Sequence, residues 1–246
     1  MTDPIRYREI GGADQRAIHD VFLAAVSDID RRIGSIDAVD DSDPAVRAQS
    51  WERWRSLFEH LDASGATGWL AEDASGEVLG YARSVDRDGV RELTEFFVRP
   101  GRQGGGMGRE LLTRAFPAAG ARSRTIIATL ERTALSRYLR TGLPAVGLIL
   151  YVSAAPREVA SSGDLEPSPI TGADADLAEL DRIDGEILGH HRRVDHEWFL
   201  GHREGWLYRR GGRVVGHGYV GRRSGPVALL DPADGPAVLG HLESRA

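Results

Sequence analysis

The chain has 246 residues, enough for one large domain or two small ones, with 41% apolar and 28% charged residues, as in folded globular proteins. It has no cysteine, which excludes disulfides, thiolate metal sites and a cysteine nucleophile, and its net charge of −6 argues against nucleic acid as a partner. No apolar run approaches the roughly 18 residues of a membrane helix and no basic-then-apolar leader opens the sequence, so a cytoplasmic location away from membranes is expected.

Taken in order, Ile5 to Ile10 alternates like a short strand that Gly11 and Gly12 break. Asp14 then stands where it caps a helix carrying Ile18, Val21, Phe22, Ala25 and Val26 on one face. Residues 28–43 are rich in aspartate and read as a solvated loop or as a surface that favours a cationic ligand. Asp43-Pro44 opens a second helix through Leu61, with Trp51, Trp54 and Leu57 in register. Gly68 to Val85 is a hairpin around Asp73-Ala-Ser-Gly76, and Asp86 to Gly89 turns into a further strand.

That strand leads into the most informative stretch, Glu92 to Leu112. Leu93, Phe96, Phe97 and Val98 give it strand character, and Pro100 ends it for want of an N–H. Gly101, Gly104, Gly105, Gly106 and Gly108 follow, and Met107, Leu111, Leu112 and Ala115 continue at helical spacing. A glycine-rich bend feeding a helix aims several backbone N–H groups at one spot, with the positive end of the helix dipole behind them. Arg102 and Arg109 add charge on either side. The ligand such a site suits is a phosphate or pyrophosphate. The NTPase loop is excluded because the chain contains no lysine.

Gln103-x-x-Gly106-x-Gly108, following Val98-x-Pro100, resembles the acyl-CoA pyrophosphate loop of the GCN5-related N-acetyltransferase (GNAT) superfamily. Downstream, Thr125 to Thr129 reads as a buried strand, Glu131 to Leu143 as a helix, and Val146 to Val152 as a final strand. The helix resembles the superfamily pattern Asn-x-x-Ala-x-x-x-Tyr-x-x-x-Gly-Phe, with Ala134, Tyr138 and Gly142 matching, Leu143 in place of Phe, and Glu131 in place of the Asn that contacts the pantetheine arm. The resemblance implies a mixed α/β (α+β) fold with a mostly antiparallel central sheet flanked by helices.

After Val152 the composition shifts to Ser, Ala and Pro, a linker signature. Beyond it the first half is echoed. Gly12-Ala13-Asp14 recurs as Gly172-Ala173-Asp174, Gly68-Trp69-Leu70 as Gly205-Trp206-Leu207, and Gly76 to Tyr81 as Gly212 to His217. A second, partial copy of the same unit is therefore expected, divided as residues 1–153, a linker 154–168, and 169–246. Its phosphate loop is missing: Asp231-Pro-Ala-Asp-Gly-Pro236 places carboxylates where a pyrophosphate would sit, so the second copy should not bind CoA.

The resemblance further implies an acyl-CoA-dependent N-acyltransferase with acetyl-CoA as co-substrate, a primary amine of a small molecule as acceptor, and direct transfer in a ternary complex. The alternative is a non-catalytic CoA-binding or regulatory module. The implied cofactor contacts are Phe97, Val98, Arg102, Gln103, Gly104, Gly105, Gly106, Met107, Gly108 and Arg109, with the thioester oxygen held by backbone N–H of Phe97 and Val98. Tyr138 is the implied general acid, since a phenol is protonated at neutral pH. The base is Glu92 or Glu95, and strand alternation places Glu92, Thr94, Phe96 and Val98 on one face and Leu93, Glu95 and Phe97 on the other. No metal is expected: His190, His191, His196 and Asp195 fit no compact ligand spacing. A homodimer is left open.

Overall fold

The computed structural model describes residues 4–35, 39–128, 131–149, 164–221 and 224–246. Two compact units divide the chain, Met1–Val146 and Gly147–Ala246.

In the first unit, β1 (Arg6–Glu9) is followed by α1 (Gln15–Ile33) and α2 (Pro44–Ala63), then by β2 (Thr67–Glu72), β3 (Val78–Arg87) and β4 (Val90–Val98), α3 (Met107–Ala115), β5 (Ser123–Ile126) and α4 (Arg132–Arg140). The sheet runs β1-β2-β3-β4-β5, antiparallel except for the parallel β4–β5 pair. Apolar residues sort by face. Ile18, Val21, Phe58, Leu70, Val78 and Tyr81 bury α1 and α2 on one side. Leu79, Ala82, Leu93, Met107, Leu111 and Ala115 bury α3 on the other.

Local chemistry sets the joints. The Asp43 carboxylate accepts the Ala45 N–H at 2.8 Å and Pro44 fills the first helical position, as the sequence predicts. Asp14 differs from expectation: its carboxylate caps no helical amide but takes the Gly11 N–H and the Arg8 guanidinium, which anchors the chain entering α1 to β1. Asp73 accepts from the amides of Ser75 and Glu77 and closes the β2–β3 hairpin.

One irregularity overturns the strict alternation expected of β4. Arg83 faces Glu95 but Ser84 faces Leu93, so Thr94 is an extra residue in the ladder. The bulge moves Leu93 to the α3 side with Phe96 and Val98, away from Glu95 and Phe97. Alternation upstream of it puts Glu92 on the face opposite Leu93. The strand expected over Thr125 to Thr129 forms as Ser123–Ile126, and residues 146–149 of the expected final strand carry no strand, with Val146, Leu148 and Ile149 exposed. Thr129 and residues 150–152 lie outside the described residues.

The second unit comprises β6 (Glu166–Pro169), α5 (Asp174–Leu188), α6 (Arg193–Leu200), β7 (Glu204–Arg210), β8 (Arg213–Val220), β9 (Val227–Leu229) and α7 (Gly235–Glu243). Its sheet runs β6-β7-β8-β9, all antiparallel. Leu177, Leu180, Ile183, Leu207 and Tyr219 pack under α5, and Tyr208, Val220, Val238 and Leu242 pack under α7.

Candidate functional site

The site follows from a strand that loses its neighbour. β4 pairs with β5 only from Val90 to Leu93, while β4 itself continues to Val98. Past Leu93 the two strands part, leaving one edge of β4 open. Arg99 N–H donates to Leu79 O at 2.8 Å, so alternation turns the Phe97 amide toward β3 and the Val98 amide toward the open edge. Of the two amides expected to meet a carbonyl oxygen, Val98 is the one that faces the gap.

A 320 Å³ cleft occupies that gap. Its walls are Ala25, Val26, Ile29 and Asp30 of α1, Leu93, Thr94, Phe96, Phe97 and Val98 of β4, Gln103 and Gly104 of the loop, Met107 and Gly108 of α3, and Ala134, Arg137 and Tyr138 of α4. A wider groove of 1590 Å³ continues past Gly104, Gly105 and Gly106 between α3 and α4. The inner cleft is at the small end of the range for ligand pockets and the outer groove exceeds it, so together they suit a long ligand with a narrow arm and a bulky head.

The loop between β4 and α3 is shaped for an anion. Gly104, Gly105 and Gly106 have φ of 112°, 58° and 87°, where any side chain is strained. Gly106 is the residue that caps α3. Among the described residues no hydrogen bond takes up the amides of Gly104, Gly105 and Gly106. These amides and the first turn of α3 therefore point donors and a positive dipole into the groove. Gly108 is required for a different reason: a Cβ there would lie 2.9 Å from both Phe96 Cζ and an Arg137 guanidinium nitrogen. Met107 buries its side chain in the core, so only its backbone is available to a ligand. Arg102 is exposed and lines neither cavity.

Charge reinforces the shape. Arg109, Arg132, Arg137 and Arg140 line the groove, and among the described residues no carboxylate pairs with any of them. The sequence carried this signal, since none of the four has a carboxylate three or four positions away, whereas Arg55 has Glu59 and Arg114 has Glu110. Glu131, the groove's one acidic lining residue, is tied up: its Oε2 accepts the Ala134 N–H at 2.7 Å and caps α4. Burial opposes its ionisation, but backbone hydrogen bonds from Ala134 and Thr133 outweigh this and hold its carboxyl below the usual range.

The expected catalytic residues separate. Tyr138 lines the inner cleft, its ring edge-on to Phe96 at 6.1 Å. Burial, with the nearby Glu131 charge, pushes its phenol up to about 12. Glu95 is on the other face of the sheet, buried, accepting from Tyr81 OH at 3.0 Å and paired with Arg83. Arg83 also reaches Gln15 Oε1 and the Phe58 carbonyl, both at 3.2 Å. Burial pushes the Glu95 carboxyl up, and the bonds from Arg83 and Tyr81 pull it back only in part. Glu92 is half-buried beside Val85 and Thr125 and lines neither cavity. The structure thus unites Tyr138 with the loop and the Val98 amide, and sets both glutamates apart from them.

In the second unit, the turn after β9 is closed by its own side chains. Asp231 accepts the Ala233 N–H at 2.9 Å, and Asp234 pairs with Arg210 at 2.6 Å. The histidines also regroup. His196 meets Asp184 and His217, not its sequence neighbours His190 and His191.

Comparison with known proteins agrees with this geometry. Residues 64–142 match the model of the acetyltransferase (GNAT) domain. No curated protein sequence matches the chain significantly. Among solved structures, the fold resembles that of a Pyrococcus horikoshii protein described as a candidate acetyltransferase, at 16% identity over 98% of this chain and 76% of that one, with a TM-score of 0.66. It also resembles a fungal multi-domain beta-N-acetylglucosaminidase with a GCN5-related glucosamine N-acetyltransferase region, at 13% identity over 100% of this chain and 35% of that one, with a TM-score of 0.54.

Proposed function

We propose that this chain, whose residues 64–142 match the acetyltransferase (GNAT) domain model, transfers the acetyl group of acetyl-CoA to a primary amine of a small molecule, in a ternary complex. The observation that carries this reading is the continuity of the free loop amides, the unpaired arginines and the Tyr138 phenol along one cavity system. The loop amides and α3 would hold the pyrophosphate, the arginines the remaining phosphate charge, and the gap beside β4 the pantetheine arm.

The Val98 N–H would donate to the thioester oxygen as it gains charge. The amine nitrogen attacks the thioester carbon, the carbon–sulfur bond breaks, and the departing sulfur takes the Tyr138 proton. The burial that raises the phenol also raises the proton affinity of a thiolate beside it, which keeps donor and acceptor matched. Glu95 is committed to Arg83 and Tyr81 and Glu92 lines neither cavity, so in this reading water in the cleft, and neither carboxylate directly, takes the ammonium proton. We read the second unit as a partial copy that does not bind CoA, since Asp231 and Asp234 hold its turn.

Calorimetric titration with acetyl-CoA tests this. Micromolar binding at one site per chain is expected, lost in Gly106→Trp, followed by thiol release with an amine panel that begins with glucosamine. Absence of binding to the wild type, or binding that survives Gly106→Trp, overturns the reading.

A further inference from the structure

The second unit buries a polar cluster that acetyl transfer does not use. Asp184 on α5, His196 on α6 and His217 on β8 are all shielded from solvent. His196 Nε2 lies 2.9 Å from Asp184 Oδ2, His217 Nε2 lies 3.4 Å from Oδ1, and the potential donor atoms fall within 4.8 Å of one another. Ligands about 2.0–2.1 Å from a tetrahedral ion stand about 3.3 Å apart, so an ion could be taken up with little backbone movement.

Two further features fit coordination better than a closed hydrogen-bonded core. Tyr219 OH holds the other His196 nitrogen, Nδ1, at 2.7 Å, the outer-shell bond that orients a ligating imidazole. His217 Nδ1, in contrast, is buried with no hydrogen-bond partner among the described residues, so the cluster is not satisfied as it stands. Both rings turn Nε2 to the carboxylate. Moving the His196 N–H to Nδ1, where the Tyr219 oxygen can accept it, would free its Nε2 as a ligand with no loss of a proton, and His217, unbonded at Nδ1, is not fixed in either tautomer.

Arg192 competes for the same carboxylate. Its Nε donates to Asp184 Oδ2 at 2.6 Å, yet its side chain is 22% exposed where that of Asp184 is 0%. A guanidinium and a dication repel on one carboxylate, and the guanidinium is the member that can withdraw to water. We propose that Asp184, His196 and His217 form a site for a divalent transition metal ion of the zinc type, which Arg192 covers until the ion enters. Two imidazoles with one carboxylate are a nitrogen-rich donor set that suits zinc and leaves a fourth position open.

The probe is Co²⁺, whose visible absorption reports tetrahedral nitrogen–oxygen coordination, added to the chelator-stripped full chain and then displaced by Zn²⁺. One Co²⁺ per chain is expected. His217→Ala should abolish the band, and Tyr219→Phe should weaken binding about tenfold, in line with the loss of an outer-shell partner. Arg192→Gln changes a part-exposed position and should bind about tenfold more tightly, because the competing cation is gone. No band in either the wild type or Arg192→Gln overturns the site. So does equal affinity in those two proteins, or a band that survives His217→Ala. The outcome is independent of whether acetyl-CoA binds.

Discussion

The two units build one scaffold and finish it differently. Each runs strand, two helices, three antiparallel strands, a proline-containing turn and a helix. Even the irregularity of the hairpin is shared: Leu79 near the start of β3 and Val215 near the start of β8 are extra residues in their ladders. Beyond both sheets the backbone also repeats, with Arg99 N–H donating to Leu79 O and Leu230 N–H to Val215 O. They part at the turn. In the first unit the glycines leave amides that no described residue takes up at the start of α3; in the second, Asp231 takes the Ala233 amide and Asp234 holds an arginine. Apolar alternation and hairpin chemistry specify the scaffold, and a few residues after the fourth strand decide whether a helix N-terminus faces a ligand or is sealed.

The largest expected effect lies where the first unit has an element with no counterpart among the described residues of the second, the helix α4 and its Tyr138. Tyr138→Phe should lower kcat roughly 100- to 10,000-fold, with acetyl-CoA affinity little changed. A general acid must carry its proton, and with the phenol pushed up to about 12 by burial and Glu131 it does so throughout neutral and mildly alkaline pH. The deficit of the variant should therefore be constant from pH 7 to pH 10 when steady-state rates are compared. A variant that keeps the wild-type rate would remove Tyr138 from the chemistry.

The second contrast is between the two buried carboxylates under the helix pairs. Glu95 is neutralised by one buried arginine, whereas Asp184 has a part-exposed arginine and two imidazoles. Arg83→Met leaves Glu95 buried without its counter-charge and should cost about 3–5 kcal/mol. Arg192→Gln should cost less, about 1–3 kcal/mol, because His196 and His217 still hold the Asp184 carboxylate. Burial raises the Glu95 carboxyl, so its penalty is absent below the unfolded carboxylate value and grows as pH rises through the folded one. The Arg83→Met deficit should therefore shrink in acid. Urea unfolding of both variants at pH 7 and pH 4.5 decides it, and equal losses for the two arginines would show that the pairs are equivalent.

Sequence pattern carries the helices, the hairpin, the glycine loop and the position of Tyr138, because each depends on residues close along the chain. Pro100 and the positive-φ glycines are local statements, and Asp43-Pro44 is another. What it does not carry depends on pairing register. The bulge at Thr94 reverses the face of Leu93, yet no single residue there announces it. The partnership of Glu95 with Arg83 requires the β3–β4 register, and that of Asp184, His196 and His217 requires three elements to converge. Local spacing offers His190 and His191 as neighbours of His196, when the helix–strand packing selects residues 12 and 21 positions away.

Glu131 gives the smallest effect and the sharpest reading of the α4 end of the site. It stands where the superfamily pattern has asparagine, and its carboxylate does two separable things: it caps α4 through the Ala134 amide, and its charge helps to raise the Tyr138 phenol. Asparagine can cap a helix as well as a carboxylate can, but it carries no charge. Glu131→Asn should therefore leave stability nearly unchanged and lower the phenol's titration midpoint, read from tyrosinate absorbance with Tyr138→Phe as the reference. Glu131→Ala should lower the midpoint too, and in addition cost about 1 kcal/mol through the lost cap. If both variants destabilise equally, the residue's contribution is its charge at the helix N-terminus; if Glu131→Asn leaves the midpoint where it was, burial alone sets the phenol, and the departure from the family pattern has no consequence for the acid.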